Sequence, residues 1–257
     1  MKYLLIPNVE NFSWMTVVAA MGQMFYSLSI AMGILYTYGS YIKKDVDIEK
    51  STGQVEIFDT AIAILAGLMI IPAVFAFSGG DADTLKAGPS LMFITIPKVF
   101  ASMGFGRGAG VMFFLLVLLA ALTSAISLAE SGVSTFEDQF GWNRRKSTLL
   151  MGALIVVFGL VSALGFGVLD FIAPFGMSIL DFFDFLTNSL MMPLAALATC
   201  LLITRVVGLD RIAREVEQSS AFKRKGMYNL FMRYLAPVCI VIILLSSIAN
   251  VLGWITM

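Results

Sequence analysis

Histidine is absent from all 257 residues, which excludes imidazole metal sites and histidine-based acid–base catalysis. Charge is scarce too: 13% of residues are charged, where a soluble domain carries ~25%. That shortage excludes an ordinary soluble domain. Only two cysteines occur, Cys200 and Cys239, each inside its own apolar run. They give no basis for a disulfide or a metal pair and read as small buried hydrophobes. Neither a nucleophile motif nor a ligand cluster supports a membrane enzyme. The opening stretch, Met1 to Pro7, has one cation and a very short apolar segment, without a signal peptide's apolar region or cleavage site.

What remains is largely apolar. Hydrophobic residues make up 59% of the chain and the mean hydropathy is +0.90, the composition of an integral membrane protein. Six spans are read between charges, at about 12–41, 57–78, 108–136, 147–169, 180–203 and 234–254. Each has the ~20 apolar residues a spanning helix needs. Residues 81–107 form a connection whose apolar stretch, 87–97, has 11 residues and is too short to cross. Gly88-Pro89 and Ile96-Pro97 make it an extracellular helical hairpin. Residues 205–233, with seven basic side chains, read as an amphipathic cytoplasmic loop near anionic headgroups, with no nucleic-acid role.

Alternate connections receive very different numbers of cations. Lys2, Lys86, Lys98 and Arg107 fall on one side, and the other 13 of the 17 basic residues on the opposite one. Cations mark the cytoplasmic side, so both termini are expected outside. A chain that begins outside without a signal sequence looks like one whose earlier spans are missing.

The first span is the most informative. Asn11 to Ile42 is 32 residues without a charge, about 48 Å as a continuous helix against a hydrocarbon core of ~30 Å. Its centre holds Gln23, Ser27, Ser29 and Gly33. A helix interrupted at membrane depth is tolerated where it lines a protein cavity, and transporters hold substrate and ions at such breaks. Elsewhere, Ala120, Thr123 and Ser124 share one helix face by their i, i+3, i+4 spacing. Their oxygens suit a hard cation, although small and hydroxyl residues also serve close helix packing.

Several stretches together resemble the neurotransmitter:sodium symporter family, in particular its bacterial amino-acid transporters. They are Gly22-Gln23-Met24-Phe25-Tyr26-Ser27-Leu28-Ser29, Tyr38-Gly39-Ser40-Tyr41-Ile42-Lys43-Lys44-Asp45, Leu65-Ala66-Gly67 with Pro72, Phe93-Ile94-Thr95-Ile96-Pro97, Ala120-Ala121-Leu122-Thr123-Ser124, Phe136-Glu137-Asp138 and Met232-Arg233-Tyr234-Leu235-Ala236-Pro237. The resemblance covers essentially the whole chain. It implies an all-α membrane fold of six helices, equivalent to the sixth to eleventh of the family's inverted-repeat architecture, with the first five absent.

The same resemblance implies the site. Tyr26, Ser29, Met32, Ser124 and Leu128 would line the substrate pocket, with Tyr26 as an aromatic lid and the backbone from Ser29 to Gly33 unwound. Ala31 stands where a glycine is common, and alanine restricts the dihedrals of the break. Ala120, Thr123 and Ser124 would hold one sodium, and Ser27 with Asp59 would lie near a second. Asp59 replaces a neutral amide and would make chloride unnecessary; the alternative is a helix-end residue that caps the second span. Asp184 matches an outer-gate carboxylate and Asp138 an inner-gate one, alongside Ser40 and Tyr41, with both arginine partners on the absent first helix. Glu130, two turns before Asp138, falls inside the apolar span. Helix packing remains the plainer account of Tyr26 and Met32.

The resemblance therefore implies the C-terminal portion of a sodium-coupled amino-acid symporter in a bacterial plasma membrane, with sodium as coupling ion and no other cofactor. Its expected partners are an amino acid, sodium, the lipid bilayer and the missing helices supplied by an upstream chain. The rival reading is a non-transporting remnant, or a split-gene subunit that needs that partner.

Overall fold

Apolar chain in lipid must satisfy its backbone polar groups internally, and helices do so. The computed structural model describes residues 12–77 and 91–251, and no strand occurs among them. Helix α1 is Trp14–Ser27, α2 is Ile34–Tyr41, α3 is Ile48–Phe77 and α4 is Ile96–Ala101. Then come α5 (Gly106–Phe140), α6 (Arg144–Leu164), α7 (Ile179–Val207), α8 (Leu209–Val216) and α9, which starts at Lys225 and ends with Ala236–Val251. Five of these, α3, α5, α6, α7 and α9, are long and apolar enough to cross a membrane. The first expected span is instead divided between α1 and α2, as its length and polar centre predict. Of the expected hairpin, residues 81–90 lie outside the described residues, and Leu91–Ala101 is helical.

Proline sets the shape of three passages. The π-helical turns Leu91–Thr95, Phe185–Met191 and Phe231–Leu235 lie just before Pro97, Pro193 and Pro237. A proline ring crowds the carbonyl four residues back and its nitrogen has no hydrogen to donate. Widening the turn to i→i+5 relieves the crowding but still leaves an acceptor without its donor. Before Pro237 that acceptor is the Met232 carbonyl, and the Cys200 thiol donates to it at 3.2 Å. Cys200 and Cys239 are both free thiols; Cys200 is buried, as the sequence reading expects, whereas Cys239 is only half-buried.

The described residues divide into two compact units, residue 12 with 55–77 and 91–126, and residues 13–54 with 127–251. In the first, Val74, Ile96 and Val99 form the core, with Ile70, Phe100 and Phe113 packed around them. Gly106 opens α5 there because a Cβ would strike the Phe100 carbonyl. In the second, Ala196 and Cys200 of α7 meet Ile240 of α9, and Phe25 and Ala31 pack on this cluster. The small side chains let the helices approach closely. Most spanning surface stays uncovered: none of the most apolar window of α5 is buried.

The capping alternative for Asp59 is corrected here. Helix α3 begins eleven residues earlier, and Asp47 caps it by accepting the Lys50 amide at 2.9 Å. That amide holds the Asp47 carboxyl below the usual carboxylate range. Asp59 stands about 17 Å along the helix from its start, too far to cap it.

The break closes as a Schellman motif. Ser29 N–H donates to the Tyr26 carbonyl at 3.1 Å and Ile30 N–H to the Phe25 carbonyl at 2.9 Å. This geometry places Ser29 in the left-handed region at φ 54°, followed by Ala31 at 62° and Gly33 at 81°. For a residue with a Cβ that conformation costs roughly 1–2 kcal/mol, whereas glycine's extra freedom when unfolded costs roughly 0.5–1 kcal/mol. The first term is larger. Ser29→Gly and Ala31→Gly should each stabilise the chain by about 0.5–1 kcal/mol, raising the thermal midpoint in detergent by about 1–4 °C. A fall in midpoint for both would remove strain from this account of the break.

Candidate functional site

Ending α1 at Ser27 and restarting the helix at Ile34 leaves residues 28–33 as a turn between two half-helices. The upper half presents Tyr26 on its last turn, about half exposed. Tyr26, Ala31, Met32 and Leu128 line a cavity of about 520 Å³, closed on its other side by Thr187, Asn188 and Met191 of α7. A second cavity of about 350 Å³ is lined by Gly22, Gln23, Tyr26, Asp184 and Asn188. Tyr26 and Asn188 border both. Asp184 stands in the second cavity, where it accepts a hydrogen bond from the Asn188 amide at 2.5 Å.

The structure thus brings together three of the five expected substrate residues, Tyr26, Met32 and Leu128, and places the expected outer-gate Asp184 at the neighbouring cavity. Ser29 is near them in sequence and shapes the break through its backbone. Ser124 belongs to the first unit. There the expected cation ligands Ala120, Thr123 and Ser124 lie on one stretch of α5, with the Thr123 hydroxyl donating to the Ala120 carbonyl at 2.9 Å. Two of the expected oxygens are therefore already adjacent. Asp59 belongs to the same unit, half-buried along α3, and Ser27 to the second unit, on the last turn of α1.

At the lower end of α2 the structure gives a partner to Tyr41, an expected inner-gate residue, and adds Tyr38, Ser127 and Glu130, which the sequence reading left without a role. Tyr38 and Tyr41 are one turn apart on α2; Ser127 and Glu130 are one turn apart on α5. The Tyr38 hydroxyl bonds the Ser127 hydroxyl at 2.6 Å, and the Tyr41 hydroxyl donates to Glu130 Oε1 at 2.7 Å. Matching i, i+3 spacings fasten the two helices rung by rung. Gly33 permits the approach, since a Cβ there would run into the Ser131 hydroxyl.

Arg144, at the start of α6, completes this clamp. Its guanidinium donates to both Glu130 oxygens, at 3.1 and 2.7 Å, and reaches Glu137 at 3.6 Å. Glu130 is therefore paired, with its side chain 19% exposed, and not an isolated acid in an apolar span. Asp138, the expected inner-gate acid, is exposed on the same end of α5, while Tyr41 bonds Glu130. The Arg144-Arg145-Lys146 run in sequence was visible only as a topological signal; that its first member turns back onto α5 depends on the short connection 141–143.

The fork of two hydrogen bonds makes this pair stronger than a single-point contact, but Arg144 is 61% exposed and salt screens it. Glu130→Gln and Arg144→Gln should each lower the thermal midpoint slightly. The double variant should lose less than the two single losses together. Raising the salt should shrink that non-additivity, and strictly additive losses in low salt would mean that the pair contributes nothing.

Comparisons with known proteins agree in kind. A family model described as "Sodium:neurotransmitter symporter family" matches residues 1–254. The uncharacterized sodium-dependent transporter YhdH of Bacillus subtilis (strain 168) is 31% identical over 249 residues, covering 96% of this chain and 54% of that protein. The uncharacterized sodium-dependent transporter MJ1319 of Methanocaldococcus jannaschii is 26% identical, covering 98% and 50%. Among solved structures, MhsT in complex with L-phenylalanine matches with a TM-score of 0.79 and 36% identity, over 90% of this chain and 51% of that one. The chain spans about half the length of the curated relatives it matches.

Proposed function

The chain belongs to the sodium:neurotransmitter symporter family, and on that premise we propose that it supplies the C-terminal half of a sodium-coupled amino-acid symporter. It is a multi-pass membrane protein from a family of transporters, not enzymes. The observation that carries the reading is the interrupted helix whose break, with Tyr26, Met32 and Leu128, lines one cavity. A half-helix end directs its backbone groups into such a space, where amides meet a carboxylate and carbonyls meet a cation.

The substrate would be an amino acid with a medium to large apolar side chain. Met32 and Leu128 offer an adaptable apolar wall, and the related MhsT was solved with L-phenylalanine. Ser29 and Ser124 are the remaining substrate residues that the family resemblance implies. One sodium would be held by the Ala120 carbonyl with the Thr123 and Ser124 hydroxyls, and the second near Ser27 and Asp59. Transport would proceed by alternating access in a bacterial plasma membrane, with both termini outside. Asp184 and Asp138 would act in the outer and inner gates, and Tyr41 in the inner one. Holding the lower half-helix against α5, the Tyr41–Glu130–Arg144 clamp would keep the inner side shut until it releases. Helices equivalent to the family's first five would complete both sodium sites. A non-transporting remnant, or a split-gene subunit, is the rival.

Scintillation-proximity binding in detergent separates these readings. The chain alone should bind no L-phenylalanine in a sodium-dependent way. Together with a chain carrying the family's first five helices it should bind saturably. In that complex Thr123→Val with Ser124→Ala should raise the sodium half-saturation at least tenfold, roughly 1.4 kcal/mol. Saturable binding by the chain alone, or unchanged sodium dependence in the variant, would count against the proposal.

Asp59 makes a separate point testable. Its fixed charge would take the electrostatic place that chloride fills in other members, so uptake by the completed protein should be equal in chloride and gluconate. Asp59→Asn should reduce uptake, with partial recovery on adding chloride. Collapse of the parent's uptake in gluconate would rule out a built-in anion.

A further inference from the structure

The second unit contains a cavity that no transport step uses. It measures about 410 Å³ and lies between the first turns of α3, helix α8 and the first turns of α9. Ile212, Val216, Phe222 and Phe231 give it an apolar wall, and Glu49 and Arg224 are the charged residues lining it. Helix α8 is amphipathic: Leu209, Ala213 and Val216 are buried, while Asp210, Arg211, Arg214 and Glu215 face outward. Two helices long and apolar enough to span a membrane begin at this cavity, which puts it near the membrane surface on the side where they start.

Its charges are arranged asymmetrically. The Glu49 carboxylate accepts the backbone amides of Lys223 and Arg224, at 2.9 and 3.1 Å, and pairs with the Arg224 guanidinium at 4.0 Å. Its negative charge is thus directed inward, onto the clasp that joins the start of α3 to the segment before α9. The cations around it face outward: Lys223 is exposed, and residues 205–233 hold seven basic side chains against three acidic ones. The alternation of connections read from the sequence assigns 13 of the chain's 17 basic residues to the side of residues 43–50 and 205–233, the side that the positive-inside rule would make cytoplasmic.

We propose that this cavity is a binding site for one anionic phospholipid of the cytoplasmic leaflet, with an acyl chain against Ile212, Val216, Phe222 and Phe231 and the headgroup beside Lys223 and Arg224. An apolar hollow of this size suits a chain of methylene groups. Two cations, Lys223 and Arg224, stand against the single acid Glu49 there and favour a negative headgroup over a zwitterionic one, an exposed cation near the surface contributing about fivefold in affinity. The site is independent of the transport reading, because its occupant is neither substrate nor coupling ion.

Native mass spectrometry of the chain released from nanodiscs tests this, using equal parts of phosphatidylglycerol and phosphatidylcholine with identical acyl chains. One phosphatidylglycerol should be retained in preference to phosphatidylcholine. Gly53 lines the cavity and a Cβ there meets nothing within 4 Å, so Gly53→Leu fills the space without a clash and improves the helix. That variant should lose the retained lipid. Lys223→Gln should keep a lipid but lose most of the preference, roughly fivefold for the exposed cation removed. Equal retention of the two lipids by the parent would overturn the proposal, as would retention that Gly53→Leu leaves unchanged. A dimer of the chain that Gly53→Leu dissociates would assign the cavity to self-association and overturn it as well.

Discussion

Every peptide group inside a bilayer needs a partner within the protein, because hydrocarbon offers none. The structure of this chain follows from how that demand is met where a regular helix fails. At the break in the first passage, the amides of Ser29 and Ile30 turn back onto the carbonyls of Tyr26 and Phe25. At Pro237 the missing donor is replaced by the Cys200 thiol on a neighbouring helix. One solution is local and the other tertiary, yet both allow irregular backbone at a depth where an unpaired group costs several kcal/mol.

The break then determines what the site can be. Because α1 stops at Ser27, the aromatic ring of Tyr26 and the turn containing Ala31 and Met32 share one space. Because α2 restarts at Gly33, its tyrosines fall in register with Ser127 and Glu130 on α5. The upper half-helix is packed through Phe25 on the α7–α9 core, and the lower one is held by polar contacts to α5. Apolar packing at one end and a screened, partly exposed ion pair at the other give the two halves unequal attachments. Such inequality makes the lower half the easier of the two to release.

Much of this was legible from the residues. The uncharged run of 32 was too long for one passage and too polar at its centre, and the interruption falls within the expected stretch. The adjacency of Thr123 and Ala120 follows from helical spacing. Glu130 was the opposite case: an acid in an apolar span has no readable role until Arg144, 14 residues away, is seen to return to it. Asp59 could be taken for a cap only while the start of α3 was placed too late, because the polar turns from Ile48 to Glu56 do not look like part of a span.

By itself, then, the sequence determined the class and the place of the break, since these depend on composition, length and local spacing. Only the tertiary structure decided which acid Tyr41 meets, which thiol caps the Met232 carbonyl and which apolar side chains enclose a cavity near Glu49. Those outcomes pair residues as far as 175 positions apart. Which of several polar or apolar groups meets a partner depends on helix rotation and connection geometry, and no periodicity along the chain encodes either.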